Sequence, residues 1–194
     1  TEEMIEFFDL GEVNRAASAF DLDKLKWLNQ YYIKEADSDR LARHLTEGLE
    51  ARDVDIASGP EPRAVADALR ERAQTIDELV DKSLYFYFDF DRYDEGAAKK
   101  HLRPVAAKLM SDIRERFEAL EPWQAPLIHH ALQACVEAND SKLGKIAQPL
   151  RVAVSGTAAT PPIDVTLELV GKDKTLERID AALGFIATRV EQGA

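Results

Sequence analysis

The stretch that decides the fold runs from Lys142 to Leu176 and reads KLGKIAQPLRVAVSGTAATPPIDVTLELVGKDKTL. It predicts two helices separated by a stiff loop. Pro149 suits the first turn of the first helix, where a missing N–H costs little, and Gly156 can end that helix in a left-handed conformation. Two consecutive prolines within residues 160–162 lock φ and push the preceding residues to extended geometry. Residues 163–170 then repeat apolar side chains at helical spacing, so we expect a second helix there.

The same loop is unusual in its charge. Between Ser141 and Ile163 there is no Asp or Glu, whereas Lys142, Lys145 and Arg151 give a local charge of +3. The whole chain has 25 Lys and Arg against 36 Asp and Glu, a formal net charge of −11. A stiff basic loop in an acidic protein is where an anion would bind. An ordinary surface turn between two core helices also explains these residues.

A second segment without acidic residues extends from Gly96 to Ser111 and carries a local charge of +4. Its basic residues are Lys99, Lys100, Arg103 and Lys108. Phosphate binding requires local clusters of this kind rather than a positive average charge. Two basic segments in an otherwise acidic protein indicate a small binding surface for an anionic partner, and they are also typical of solvated helix faces.

Length and composition indicate a folded protein. The 194 residues suffice for one large domain or two small ones, and 45% hydrophobic against 31% charged residues is ordinary for a globular chain. The single Cys135 excludes a disulfide framework and a cysteine zinc site, and its apolar neighbours predict that it is buried. The chain begins with Thr1 rather than Met, which fits a piece of a longer protein. No apolar run reaches the length of a membrane span and no signal peptide is visible, which predicts a cytoplasmic protein.

The hydrophobic pattern predicts an all-α protein made of two consecutive helical bundles, preceded by a short helical segment. No segment shows the period-two alternation of a strand. We expect the helical segment to comprise residues 1–35 and the two bundles to comprise residues 36–93 and 97–194. Residues 85–93 hold six aromatic side chains among acidic ones, and we interpret them as a seam between the two bundles rather than as a base-stacking surface, because the acidic groups would repel phosphate.

Local signals predict several helix starts. Asp21 is expected to cap a helix through Asn29, and Ser38 or Asp39 to cap the next one. Residues 75–78 form a capping box, in which the Thr hydroxyl accepts from the Glu N–H while the Glu side chain reaches back. A further helix is expected to start at Pro122-Trp123. Apolar residues at helical spacing are expected to be buried on three helices: Leu22, Leu25 and Leu28 beside a core Trp27; Val105, Leu109, Ile113 and Phe117 after Pro104; and Leu176, Ile179, Leu183, Ile186 and Val190 in the last helix.

Two regions of the chain resemble bacterial glutamyl-tRNA synthetases. The first comprises PLRVAVSG (149–156), TPPI (160–163) and LELVGKDKTLER (167–178), and the second is FDLDKLKWLNQYYI (20–33). The resemblance extends from Thr1 to Val190. It implies the anticodon-binding region of that family, of the α-helix-cage type, preceded by a segment that contacts the tRNA stem near the inner corner of the L-shaped molecule.

The resemblance also implies roles for individual residues. Thr160, Pro161 and Ile163 match loop positions that contact anticodon bases in the family. Arg72 matches an Arg that reads the third anticodon base, and Arg70 is the alternative match. Both arginines are also explained as surface residues paired with Glu71 or Asp67. Pro162 stands where the family commonly has Gly. The seven basic residues of the two acid-free segments are the candidates for contacts with the tRNA backbone.

No catalytic chemistry is expected within this chain. It has no Gly-rich phosphate loop and no metal-ligand spacing, and the adjacent His129 and His130 point about 100° apart on a helix. The family joins glutamate to tRNA-Glu with ATP and Mg²⁺, through His-Ile-Gly-His and Lys-Met-Ser-Lys-Ser type motifs in a Rossmann domain, and neither motif is present here. The resemblance therefore implies a non-catalytic part of a glutamate–tRNA ligase that has no cofactor, binds tRNA-Glu but no DNA or membrane, and is monomeric. The alternative is a helical module that binds another protein through an aromatic surface.

Overall fold

The structure is a computed structural model that describes residues 2–9 and 20–191, without the side chain of residue 191. Within these ranges the chain forms α-helices and no strand, which confirms the all-α prediction. The helices are α1 (Glu2–Glu6), α2 (Leu22–Glu35), α3 (Ser38–Glu50), α4 (Pro62–Leu69), α5 (Ile76–Tyr87), α6 (Glu95–His101), α7 (Pro104–Glu118), α8 (Ala125–Ala138), α9 (Leu143–Ser155), α10 (Ile163–Val170) and α11 (Lys172–Glu191). A 3₁₀ turn over Arg70–Arg72 follows α4. The sequence also predicts a loop over residues 9–19, and all of it except residue 9 lies outside the described residues.

The helices pack around two apolar cores. The first core joins α3, α4 and α5, and the second joins α6, α7, α8, α9 and α11. Helix α10 contributes to both, because Ile163 and Leu167 lie in the second core while Val170 lies in the first. Burial of one large apolar side chain stabilises the fold by roughly 1.5–3 kcal/mol, so each bundle has its own source of stability. The domain boundaries at residues 35/36 and 93/97 remain predictions.

Helix N-termini follow the predicted capping chemistry with one correction. Asp21 caps α2 as expected, and its Oδ1 accepts hydrogen bonds from the N–H groups of Asp23 and Lys24, both at 3.0 Å. The cap of α3 is Asp37, not Ser38 or Asp39, because the Asp37 carboxylate reaches two free N–H groups of the first turn. The hydroxyl of Ser38 instead donates to Asp67 at 2.7 Å.

Helix α2 departs from its predicted packing. It continues to Glu35 rather than ending at Asn29, because Ile33 is buried in the first core. The expected core residues on its earlier turns are exposed: Leu22 59%, Leu25 48%, Trp27 62% and Leu28 41%. None of the described residues covers that face, and an apolar stripe in a sequence does not reveal what covers it.

Helix α9 begins earlier than predicted, so Pro149 lies inside it and not in its first turn. An interior proline removes a hydrogen bond and costs roughly 3 kcal/mol. The helix forms nevertheless, because Ile146 and Ala147 on its first turns, and Pro149 itself, are buried in the second bundle. At its other end Gly156 has φ +75°, the predicted left-handed end.

Two more predicted buried stripes are confirmed in part. In α7, Ile113 and Phe117 are buried as predicted, but Val105 is 75% exposed, and Ala106 and Met110 are the buried residues of the earlier turns. Helix α8 begins at Ala125, not at Pro122-Trp123, because Pro126 suits the first turn of a helix and Gln124 before that turn is extended. The Trp123 indole N–H donates to the Leu167 carbonyl at 2.9 Å. In α11, Ile179 and Ile186 are buried as predicted, but Val190 is 53% exposed.

Candidate nucleic-acid interface

Arg151 braces the loop between α9 and α10. Its Nη1 donates to the Thr160 carbonyl at 3.0 Å, and also to the Thr160 hydroxyl and the Pro161 carbonyl. The Thr160 hydroxyl in turn donates to the Pro161 carbonyl at 2.9 Å. At the end of the loop, the Pro162 carbonyl accepts from the N–H of Thr166 at 2.9 Å. One side chain therefore satisfies two backbone carbonyls and a hydroxyl, which holds residues 160 and 161 against α9.

The loop residues predicted to contact anticodon bases have buried side chains. Thr160 is 2% exposed, Ile163 is 5% exposed, and Pro161 is also buried. Contact with a base would therefore use the backbone edge of the loop together with exposed neighbours such as Pro162. The base-contacting role of these residues remains a prediction. Pro162 has φ −45° and ψ 136°, an extended conformation that proline accepts without strain.

The two candidate arginines after α4 differ in what they contact. Arg70 points inward: its Nη2 donates to the Ala36 carbonyl at 2.9 Å and pairs with Asp67 at 3.2 Å. Arg72 is exposed, and within the described part of the chain its guanidinium makes no hydrogen bond or ion pair. The backbone of Arg72 is held instead, because Lys82 of α5 donates to its carbonyl. Arg72 is thus the one of the pair with a free fork of donors.

Arg72 and the braced loop belong to the same electrostatic environment, although they lie in different bundles. Burial lowers the pKa of the Arg151 guanidinium, and the positive charge of Arg72 lowers it further. The nearby carboxylate of Asp164, at the start of α10, acts in the opposite direction. Helix α10, which follows the loop, also packs against α4, which precedes Arg72, so the fold places the two positive charges near enough to repel each other.

Sequence reasoning missed Arg178, which joins the two bundles. Its side chain is 7% exposed, and its guanidinium donates to the carbonyls of Tyr85, Val154 and Phe88 at 2.9, 2.6 and 3.2 Å. It also pairs with the Asp89 carboxylate at 2.8 Å, and the hydrogen bond from Arg178 lowers the pKa of that carboxyl group. The available signal was a basic residue within the apolar stripe of α11, one position before a core Ile.

The aromatic stretch 85–93 lies at this junction. Phe86 and Tyr87 are buried in the first core, whereas Tyr93 packs against the second. The Phe90 ring lies 5.2 Å from the Arg178 guanidinium. These four rings face protein, in agreement with the predicted seam, whereas Phe88 of the same stretch is 45% exposed.

The two acid-free segments meet in a groove of about 680 Å³. Its charged lining is basic: Lys100, Arg103, Lys142 and Lys145, with His101. Burial, Lys100 and Arg103 all lower the pKa of His101, as a positive environment should.

Three of the seven predicted backbone contacts lie elsewhere. Lys99 lies in a separate depression with Asp91 and Glu95. Lys108 donates to Asn139 at 2.8 Å. The Arg151 guanidinium is bound to the carbonyls of Thr160 and Pro161 in the loop between α9 and α10.

Residues 23–183 match the family model described as an anticodon binding domain. The chain belongs to this anticodon-binding domain family. It is similar in structure to a glutamate tRNA ligase from Elizabethkingia meningosepticum, crystallised in complex with its amino acid, with a TM-score of 0.84 and 27% identity over 95% of this chain. It is also similar to the glutamate–tRNA synthetase of Elizabethkingia anophelis, with a TM-score of 0.80 and 27% identity over 94% of this chain. In both cases it spans 36% of the matched chain.

Other parts of this anticodon-binding domain offer structural contacts. Within residues 2–9 and 20–191, no group of three or more His, Cys, Asp or Glu side chains is arranged to hold a metal ion. His129 bonds to Asp164 at 3.1 Å and to Gln133 at 3.0 Å, while Cys135 is fully buried, as predicted, which raises the pKa of its thiol. No helix in the described ranges is long and apolar enough to cross a membrane.

Proposed function

We propose that this chain reads the anticodon of tRNA-Glu as part of a glutamate–tRNA ligase. The observation that carries the proposal is the free, exposed guanidinium of Arg72, which follows α4, the helix that packs against α10 at the end of the loop braced by Arg151. Membership of the anticodon-binding domain family and similarity to glutamate–tRNA ligases support it. Anticodon bases are single-stranded, so their Watson–Crick edges are open to hydrogen bonding by a protein.

Arg72 is the residue to which we assign base recognition. A guanidinium is planar and presents its donors in a fixed fork, which suits a base edge. Because Arg72 has no protein acceptor in the described ranges, its donors are available for RNA at no cost in broken contacts. Arg70 is assigned a structural role, because Asp67 and the Ala36 carbonyl already occupy its guanidinium.

We assign the loop braced by Arg151 the role of a second surface that contacts the anticodon bases. Thr160, Pro161 and Ile163 shape its backbone, while Pro162, at the end of the loop, is exposed. A loop that is rigid before binding loses little conformational entropy when a base contacts it.

The basic groove is assigned to the phosphate backbone. Lys100, Arg103, Lys142 and Lys145 line it without an acidic neighbour, which is the arrangement that neutralises phosphates. Contacts of this kind position an RNA but carry no sequence information, so the groove would complement Arg72 rather than duplicate it.

Catalysis is assigned to a part of the parent ligase outside this chain, where ATP and Mg²⁺ would act. The residues of this chain bind and orient the tRNA, and we propose that it does so as a monomer in the cytoplasm. The competing idea is a protein-binding module with an aromatic surface. Phe86 and Tyr87 cannot form that surface because they are buried, so it would have to lie on α2, where Trp27, Tyr31 and Tyr32 are exposed.

The test compares binding of two RNAs, a tRNA-Glu transcript and a variant changed only at the third anticodon base. A base contact is worth about 1–3 kcal/mol, so R72A should weaken binding of the cognate transcript by about ten- to a hundredfold and leave the variant unaffected. The matched control R70A should retain discrimination between the two RNAs. Equal loss on both RNAs after R72A, or loss of discrimination only after R70A, would contradict the assignment.

A further inference from the structure

We propose that Arg178 is a positioning residue that sets Arg72 against the Thr160–Ile163 loop and thereby determines discrimination at the third anticodon base. The inference rests on the proposed function. It adds a specificity-determining residue that is itself buried and does not contact RNA.

The contacts of Arg178 lie on the helices that carry the two halves of the interface. The Tyr85 carbonyl is in the last turn of α5, whose Lys82 holds the backbone of Arg72. The Val154 carbonyl is in the last turn of α9, which carries Arg151 and leads into the loop. One guanidinium therefore fixes the distance between the two supporting helices.

The chemistry of the contact favours a fixed geometry. The last carbonyls of a helix have no partner within the helix and form its negative end, so a cation there is doubly favourable. A guanidinium holds its donors in one plane, so it satisfies acceptors from both helices only in one relative orientation. The Arg178 guanidinium uses Nη1 for Tyr85 and Val154, and Nη2 for Phe88 and Asp89. The ring of Phe90 confines it further at 5.2 Å.

Arg114 provides a matched control within the same chain. Its guanidinium also makes strong bonds to α11, to the two oxygens of Asp180 at 2.7 and 3.0 Å, and it pairs with Glu118 at 2.7 Å. These contacts stay within the second bundle, because Arg114 and Glu118 are on α7. Replacing Arg114 therefore removes a comparable set of ion pairs without touching the junction.

The experiment measures Kd for the tRNA-Glu transcript and for the third-base variant with the 194-residue chain, at a temperature where circular dichroism shows each protein folded. Discrimination is the Kd for the third-base variant divided by the Kd for the tRNA-Glu transcript. This ratio should fall about tenfold in R178Q, near the lower end of what one base contact supplies, and should stay at the wild-type value in R114Q. R178K, which keeps the charge but loses the planar fork, should give an intermediate ratio. In the R72A background, R178Q should cause no further change in the ratio.

The outcomes separate this inference from the proposed function. If the wild-type chain does not discriminate, or R72A leaves the ratio unchanged, the proposed function fails and this inference fails with it. If R72A erases discrimination but R178Q and R178K retain it, only the role of Arg178 is refuted. Equal weakening of both RNAs by R178Q would show a merely structural residue and also refute it. Should R178Q not fold, R178K decides: an unchanged ratio overturns the proposal.

Discussion

At the residue scale, Arg151 supports a candidate binding surface through its hydrogen bonds to the loop that forms this surface. It was expected to meet a tRNA phosphate, and its Nη1 instead satisfies acceptors of Thr160 and Pro161. Whether it also meets a phosphate remains a prediction. Its bracing role is visible only in three dimensions, because the loop folds back over a residue nine positions earlier.

Replacing Arg151 should destabilise the protein measurably. In R151M the carbonyls of Thr160 and Pro161 lose a charged donor in a half-buried site, and a polar group left unpaired costs about 1–3 kcal/mol. Urea unfolding gives the free energy change. The control is R63M, which removes an exposed ion pair with Asp39 at 2.9 Å and should cost at most about 1 kcal/mol. Similar small losses in both variants would show that the loop does not depend on Arg151.

At the element scale, the start of α5 combines a predicted cap with an unpredicted detail. The Thr75 hydroxyl accepts from the Glu78 N–H at 3.1 Å, as the capping box requires. The Glu78 carboxylate reaches one residue further back than expected, to the Gln74 N–H at 2.7 Å, and also binds Lys82. Because Lys82 donates to the Arg72 carbonyl as well, this helix start supports the candidate base-reading turn.

The stability of this helix start should depend on pH. Hydrogen bonds from Lys82 and then from Gln74 lower the pKa of Glu78 below its ordinary value of 4.5. The carboxylate therefore stabilises the fold above the unfolded pKa, and this contribution is lost as pH falls through the lowered folded pKa. E78Q should remove that part of the acid sensitivity, by at most about 1 kcal/mol because the site is partly exposed. Denaturant unfolding of both proteins between about pH 7 and pH 3 measures it; parallel curves would contradict the account.

The elements that could be predicted are those whose signal is local. Leu41, Leu45 and Leu49 repeat at helical spacing, and all are at most 1% exposed in α3. The stripe of α2 gave an equally clear pattern, yet its face is open in the described chain, since periodicity does not say what covers a face. Pro149 shows the reverse case, in which core packing outweighs a local rule.

At the scale of the whole molecule, the groove and the Arg178 junction arise from helices distant in the sequence. The two acid-free segments could be identified by composition, but only the fold shows that Lys100 and Arg103 face Lys142 and Lys145, while Lys99 and Lys108 do not. Arg178 could not be assigned, because three of its four acceptors are backbone carbonyls and these leave no trace in the sequence.

The groove predicts a difference in salt dependence. Replacing Lys100, Arg103, Lys142 and Lys145 by Gln should flatten the slope of log K against log salt by roughly three units, since each lost phosphate contact removes about 0.7–0.9. The loss of affinity should be equal for cognate and variant RNA, because phosphate contacts carry no base information. The control is the double variant of Lys99 and Lys108, for which the slope should not change. An equal flattening in the control would show that these cations act only through net charge.

The most direct test of the central claim is a nucleotide-resolution chemical footprint of tRNA-Glu bound to this chain. We predict protection of the anticodon bases at saturating protein, with R72A restoring reactivity at the third anticodon base alone, since that is where its donors are proposed to act. R70A should leave the footprint of the wild-type chain unchanged. Unprotected anticodon bases in the bound complex, or protection at the third base that survives R72A, would contradict the account.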